Sequence, residues 1–157
     1  MKSCLCRLYL EDKILIDIVK SKIHADVLLS NLSNLTCGAV VTFDGRVRNH
    51  NDGKEITNLY YECYYPMALK VMNEIKEETH KKWDVKNIIA IHRIGNVPIG
   101  EIAVWIGVSS VHRKEAFNAC EFMINEIKHK VPIWKKETYI DGVSNWVDCC
   151  KVISSNR

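Results

Sequence analysis

The run "EIAVWIGVSS", residues 101–110, constrains the fold more than any other segment. From Ile102 to Val108 it carries no charge and no polar alternation, so a strand formed there must be covered on both faces. That places it in the centre of a sheet. The run is also far shorter than the roughly 18 apolar residues a membrane helix needs. "NIIAIHRI", residues 87–94, reads as a second strand. The "GNVPIG" between them, with two glycines and a proline, reads as a loop.

The remaining elements follow from periodicity. "ILIDIV", residues 14–19, reads as a strand, and Ala25 to Leu32 as a short helix with apolar positions at 25, 28, 29 and 32. "GAVVTFDGRVR", Gly38 to Arg48, alternates as a strand. The Asp44-Gly45 step inside it predicts a bulge that re-aims Arg46 and Arg48. Asp52-Gly53 is a turn signal leading into "ITNLYYECYY", and two paired antiparallel strands are the simple reading. Pro66 opens a helix whose stripe Ala68, Val71, Met72, Ile75 and Thr79 continues to Trp83.

Ser109 and Ser110 are natural N-caps for a helix from about His112 to Lys128, with Ala116, Ala119, Cys120, Met123 and Ile127 inward. Pro132 stops it. "VPIWKKETYI" then reads as an edge strand and "DGVSNWVDC" as a turn and a last short strand. Strands come in adjacent pairs rather than strict βαβ alternation, so the fold class expected is α+β with a mostly antiparallel sheet and two main helices.

At 157 residues one domain is expected, residues 1–157, with 1–13 and 151–157 as flexible ends. A formal net charge of +3 is too mild for a dedicated nucleic-acid binder. The first residues meet Arg7, Glu11 and Asp12 too early for a signal peptide, so a cytoplasmic protein is expected. Seven cysteines, an odd number, then imply reduced thiols. Cys4, Cys6, Cys149 and Cys150 lack the usual C-x(2–4)-C spacing of a thiolate metal site, and no metal is expected.

Three basic groups stand out: Arg46 with Arg48, His112 with Arg113, and the lysines of "IKHKVPIWKKE", residues 127–137. Each alone is also what a solvated surface looks like. His112 and Arg113 open a helix, where free N–H groups and a bidentate fork favour a phosphate or carboxylate. Lys128 and Lys135, crowded by other cations and by Trp134 and Ile133, are candidates for a lowered ammonium pKa and for acid-base or nucleophilic work. The competing reading is a helix end whose lysines complement the macrodipole. Arg113 and Lys128 are fifteen positions apart on one helix, about 22 Å. No small molecule spans that distance, so a pocket using both predicts a homodimer with a composite site.

"GAVVTFDGRVRNHNDGK", "YYECYYPMA", "IHRIG", "VSSVHR" and "IKHKVPIWKKE" occur in the order and spacing of the large, catalytic subunit of molybdopterin synthase, from about Cys37 to Trp146. "KVPIWKKE" resembles eukaryotic members more than bacterial ones. The resemblance implies a single-domain α+β fold of α/β-hammerhead-like type, dimeric at the centre of a heterotetramer. It implies conversion of cyclic pyranopterin monophosphate to molybdopterin, with sulfur from the C-terminal Gly-Gly thiocarboxylate of a small ubiquitin-like partner, and no metal or other cofactor. Carried over by position, Lys128 is the leading catalytic lysine and Lys135 its companion. Phe43, Arg46, Arg48, His112, Arg113, Lys136 and Glu137 would bind substrate. Some members carry an arginine after the final tryptophan that serves the neighbouring pocket; here "VDCCKVISSNR" follows Trp146, and only Lys151 could substitute. The rival readings are a basic module binding RNA or an acidic protein without catalysis, and a lysine-dependent Schiff-base enzyme.

Overall fold

In the computed structural model, which describes residues 15–147, the chain runs β1 (Leu15–Val19), α1 (Ala25–Asn31), β2 (Ala39–Arg46), β3 (His50–Asn51), β4 (Lys54–Cys63) and α2 (Tyr65–Lys82). It continues through β5 (Val85–Arg93), β6 (Gly95–Val97), β7 (Ile102–Ser110), α3 (Arg113–Lys130), β8 (Ile133–Tyr139) and β9 (Ser144–Val147). This is the expected α+β class, with α2 and α3 as the two main helices. The ends expected to be flexible, the four terminal cysteines and Lys151 lie outside the described residues.

β7 is buried at all nine positions and lies inside a four-stranded sheet of order β1-β5-β7-β2. Its alternate residues feed two cores. Val104, Ile106 and Val108 pack with Ile88 and Ala90 of β5 beneath α2 and α3, alongside Met72, Ile75, Ala119 and Met123. Trp105 packs on the opposite face with Ile89, Ile91, Leu28 and Leu32. The missing alternation in the sequence therefore reflects two covered faces. Only β1 and β5 run parallel in this sheet; β5–β7 and β2–β7 are antiparallel.

The second sheet has order β3-β4-β8-β9, with β6 also on β4. Here the structure departs from the sequence reading. The long strands β2 and β4 do not pair: β2 joins β7, and β4 joins β8 and β6. Asp52 and Gly53, both at positive φ, turn only the two residues of β3 back onto β4. The physical reason lies in β2, whose Val41 and Phe43 pack against the core beneath α2 and α3 and so commit the strand to the first sheet. The bulge expected near Asp44-Gly45 is present as a register shift between Gly45 and Arg46, and beyond it the chain crosses to the second sheet.

Two smaller expectations also change. β8 is flanked by β4 and β9, so it is not an edge strand; Pro132 precedes it and removes no ladder donor. Ser109 and Ser110 belong to β7, and the N-cap of α3 is His112, which makes no side-chain cap. The Ser110 hydroxyl donates instead to the His112 carbonyl. Part of the expected loop 95–100 is the short strand β6.

Gly107 shows how tightly the inner face of β7 is packed. A Cβ there would lie 2.4 Å from Leu32 Cδ1 and 2.5 Å from the Trp105 ring. Gly107→Ala is expected to cost about 1–3 kcal/mol by overpacking. Urea melts at neutral pH check this, and an unshifted midpoint refutes it.

Candidate functional site

α3 begins beyond the Ser110 end of β7 and packs back over β2, β7 and β5, so its last turn reaches the opposite end of that sheet. Lys128 is exposed in this turn, close enough to the buried His92 near the end of β5 for its charge to act on that imidazole. The Tyr61 ring of β4 meets the His92 ring edge-on, with centroids 5.2 Å apart. Across the second sheet Tyr61 is the partner of Lys135 in β8. Tyr61 thus meets β5 through the His92 ring and β8 through its register with Lys135.

Lys135 is not bare. Its Nζ lies 2.9 Å from Glu137 Oε1, and the Glu137 side chain is only 2% exposed. Tyr139 donates its hydroxyl to Glu137 Oε2 at 2.8 Å, and Asn51 Nδ2 donates to both oxygens at 3.3 and 3.2 Å. Asn51 Oδ1 in turn accepts from Arg48 Nη2 at 3.4 Å. Burial pushes the Glu137 carboxyl up, but the hydrogen bonds from Lys135 and Tyr139, the Lys135 charge and Asn51 outweigh it and hold it below the usual carboxylate range. The Tyr139 phenol is raised, first by its hydrogen bond to Glu137. These bonds tie Glu137 to Lys135 and, through Asn51, to Arg48.

The other expected residues divide. Arg46 lies at the same end of the first sheet, paired with Asp44 at 2.9 Å and donating to the Gly100 carbonyl at 3.3 Å. Phe43 lies mid-strand in β2, partly buried against the core. Strand alternation puts Lys136 on the opposite face of β8 from Lys135 and Glu137, with its Nζ 5.9 Å from the Trp146 ring centroid. Lys130 is paired with Glu126 and, at 3.5 Å, with Glu78; the hydrogen bond to Glu126 leads in raising its pKa.

His112 and Arg113 are at the other end. β7 pairs with β2 from Ile102↔Arg46 to Ser110↔Ala39, a span of about 26 Å at strand rise. One protomer does not bring them to Lys128, as helix length predicted.

The model of the family described as MoaE protein matches residues 18–130. The chain belongs to the MoaE family. The molybdopterin synthase catalytic subunit of Arabidopsis thaliana is 42% identical over 134 residues, covering 84% of this chain and 68% of that protein. The one from Bacillus subtilis is 42% identical over 131 residues, 83% of each. The crystal structure of molybdopterin synthase from Staphylococcus aureus superposes with a TM-score of 0.78 at 44% identity, covering 83% of this chain and 94% of that one. Plant and bacterial relatives thus match equally well.

Within this MoaE chain, sequence reasoning missed Asn51, Tyr61, His92 and Tyr139 as members of the site. Tyr61 and His92 sit in the motifs "YYECYY" and "IHRIG", but no spacing rule says that these segments meet. Cys120 is buried, and burial pushes its thiol up to about 11; Cys37 and Cys63 are half-buried and free. Among the described residues no cluster of His, Cys, Asp and Glu could hold a metal, and no helix is long and apolar enough to cross a membrane.

Burial pushes the His92 imidazole down to about 4, with a smaller contribution from Lys128, outweighing the hydrogen bond to Arg93. A histidine whose folded pKa is depressed contributes stability that is present above its unfolded value and lost as pH falls toward the folded one. Between about pH 7 and about pH 5 this amounts to about 2 kcal/mol. Urea titrations at the two pH values should show that loss in the wild type and not in His92→Phe; equal losses in both would refute it.

Proposed function

We propose that the chain is the catalytic subunit of a molybdopterin synthase, a sulfurtransferase that converts cyclic pyranopterin monophosphate to molybdopterin in molybdenum cofactor biosynthesis. The observation that carries this reading is the hydrogen-bonded line Arg48–Asn51–Glu137–Lys135, with Lys128 in the last turn of α3 near enough for its charge to act on His92 of β5. It gathers cationic groups from β8, α3 and the segment after β2 where a phosphorylated substrate and an anionic peptide tail would meet. Membership of a family whose relatives bear that name supports it.

In this reading Arg46 and Arg48 neutralise the substrate phosphate, and the arginine fork gives it orientation as well as charge. Lys135, held by Glu137, offers a fixed ammonium. Lys128 moves a proton, or takes part covalently, while the thiocarboxylate sulfur adds to the substrate. The small ubiquitin-like partner supplies that thiocarboxylate, and no metal or other cofactor enters. The relatives' designation as a catalytic subunit fits a second subunit. His112 and Arg113 would complete the pocket of a second copy. Val111 and Phe117 beside them, and Val40 at the same end of β2, are exposed apolar residues suited to self-association.

The decisive experiment mixes the protein with a thiocarboxylated ubiquitin-like carrier and the cyclic pterin phosphate and looks for the dithiolene product by mass spectrometry. No product refutes the function. Light scattering is expected to give a dimer of the isolated chain, and a strict monomer would remove the shared pocket. Salt-sensitive RNA binding with indifference to the pterin would favour the binding-module reading instead.

A further inference from the structure

β2 ends at Arg46, and the segment that carries the chain on to Arg48 is held in place. Val47 is 3% exposed, packed with Leu59, Val97 and Ala103, while Arg46 and Arg48 on either side of it are exposed. Both backbone groups of Val47 are engaged just before β7. Its N–H donates to the Glu101 carbonyl at 3.0 Å, and its carbonyl accepts from the Gly100 N–H at 2.8 Å. The Gly100 carbonyl in turn accepts from Arg46 Nη1 at 3.3 Å, while Arg46 Nη2 donates to Asp44 Oδ2 at 2.9 Å. Residues 100 and 101 therefore set where the Arg46 guanidinium sits.

Those two residues are fixed from behind. Arg93, at the end of β5, is 9% exposed; its Nη1 donates to Glu101 Oε2 at 2.5 Å and its Nη2 to the Asn96 carbonyl of β6 at 3.3 Å. Lys22 Nζ lies 3.3 Å from the other carboxylate oxygen of Glu101. A lysine at position 93 would offer a point charge, whereas the planar fork holds both sides of the 95–101 connection at once. Replacing a buried ion pair by apolar side chains of similar volume is often neutral or stabilising, so stability alone does not call for a guanidinium here. We propose that Arg93 and Glu101 are positioning residues for Arg46: their ion pair fixes the connection whose backbone holds Val47 and the Arg46 fork, so that the guanidinium meets the substrate phosphate in one place. The inference rests on the functional reading above and adds to it two residues that act through Arg46.

Arg93→Met combined with Glu101→Met removes the pair without leaving a lone charge, so this variant is expected to fold with a thermal midpoint within about 5 °C of the wild type. Its KM for the cyclic pterin phosphate should rise about tenfold with kcat within about twofold, the signature of binding lost equally from ground and transition states. In an Arg46→Ala background the same two substitutions should change KM by less than about twofold, because the group they act through is gone. An unchanged KM, a loss confined to kcat, or an equal rise with and without Arg46 overturns the inference. Amide hydrogen exchange of the substrate-free protein supplies a readout independent of turnover. The Val47 and Gly100 amides should exchange at least about fivefold faster in Glu101→Gln, which keeps the shape and loses the charge, than in the wild type. Unchanged exchange overturns the inference even if the doubly substituted variant fails to fold. If the wild type forms no dithiolene product, the functional reading fails, and the exchange rates decide separately whether Arg93 and Glu101 hold the Arg46 segment.

Discussion

Lys128→Ala is expected to reduce sulfur transfer by about 10²–10⁴-fold, the range a positioned acid-base group supplies. The side chain is exposed in the last turn of α3, so its removal leaves no cavity and stability should change by no more than about 0.5 kcal/mol. Folding and carrier binding therefore survive while turnover does not. Lys128→Arg separates two roles. An arginine keeps the charge but is a poor proton donor and nucleophile at neutral pH, so activity stays low if Lys128 acts chemically and returns if it only attracts the phosphate. Product formation is the measurement, in single turnover with preloaded thiocarboxylate carrier, and wild-type rates in Lys128→Ala would remove the residue from the mechanism.

Glu137→Ala should be the most destabilising change at the site. It leaves the Lys135 ammonium, the Asn51 amide and the Tyr139 hydroxyl without the acceptor they share. Removing one partner of a buried pair costs about 3–5 kcal/mol, and the 20% exposure of the Lys135 side chain puts this case at the lower end. Against a total of about 5–15 kcal/mol that is a large fraction. Glu137→Gln keeps the shape and part of the hydrogen bonding and should cost about 1–3 kcal/mol. Because the Glu137 pKa is depressed on folding, its contribution is present above the ordinary carboxylate value and is lost as pH falls through the lowered one. The stability gap between wild type and Glu137→Gln should therefore close in acid. Both variants should also lose activity at least about tenfold, since Lys135 and Arg48 lose the group that orients them. Urea melts across pH, read beside product formation, check both effects; a gap that widens in acid would contradict the assignment.

Much of the fold was legible because burial imposes a period on each element. The 3.6-residue stripes of α2 and α3 and the unbroken apolar run of β7 each report a face that must be covered, and each element appears within a few residues of its expected place. The Asp52-Gly53 turn and the bulge before Arg46 were equally local, being properties of backbone conformations that few residues adopt. Which strands pair was not local. β2 and β4 look like the arms of one hairpin, yet the apolar face of β2 is satisfied by the first sheet and its helices, a long-range outcome that no turn residue encodes.

The site divides along the same line. The sequence by itself, through its motifs, named Arg48, Lys128, Lys135 and Glu137, and helix length alone separated Arg113 from Lys128, because a helix is a rigid ruler. Only the tertiary structure showed Glu137 as the buried acceptor of three donors, sent Lys136 to the opposite face of β8, and set the Tyr61 ring of one sheet against His92 of the other. The reason is physical: charge and periodicity belong to a residue and its near neighbours, whereas partners and burial depend on which segments the two sheets bring together.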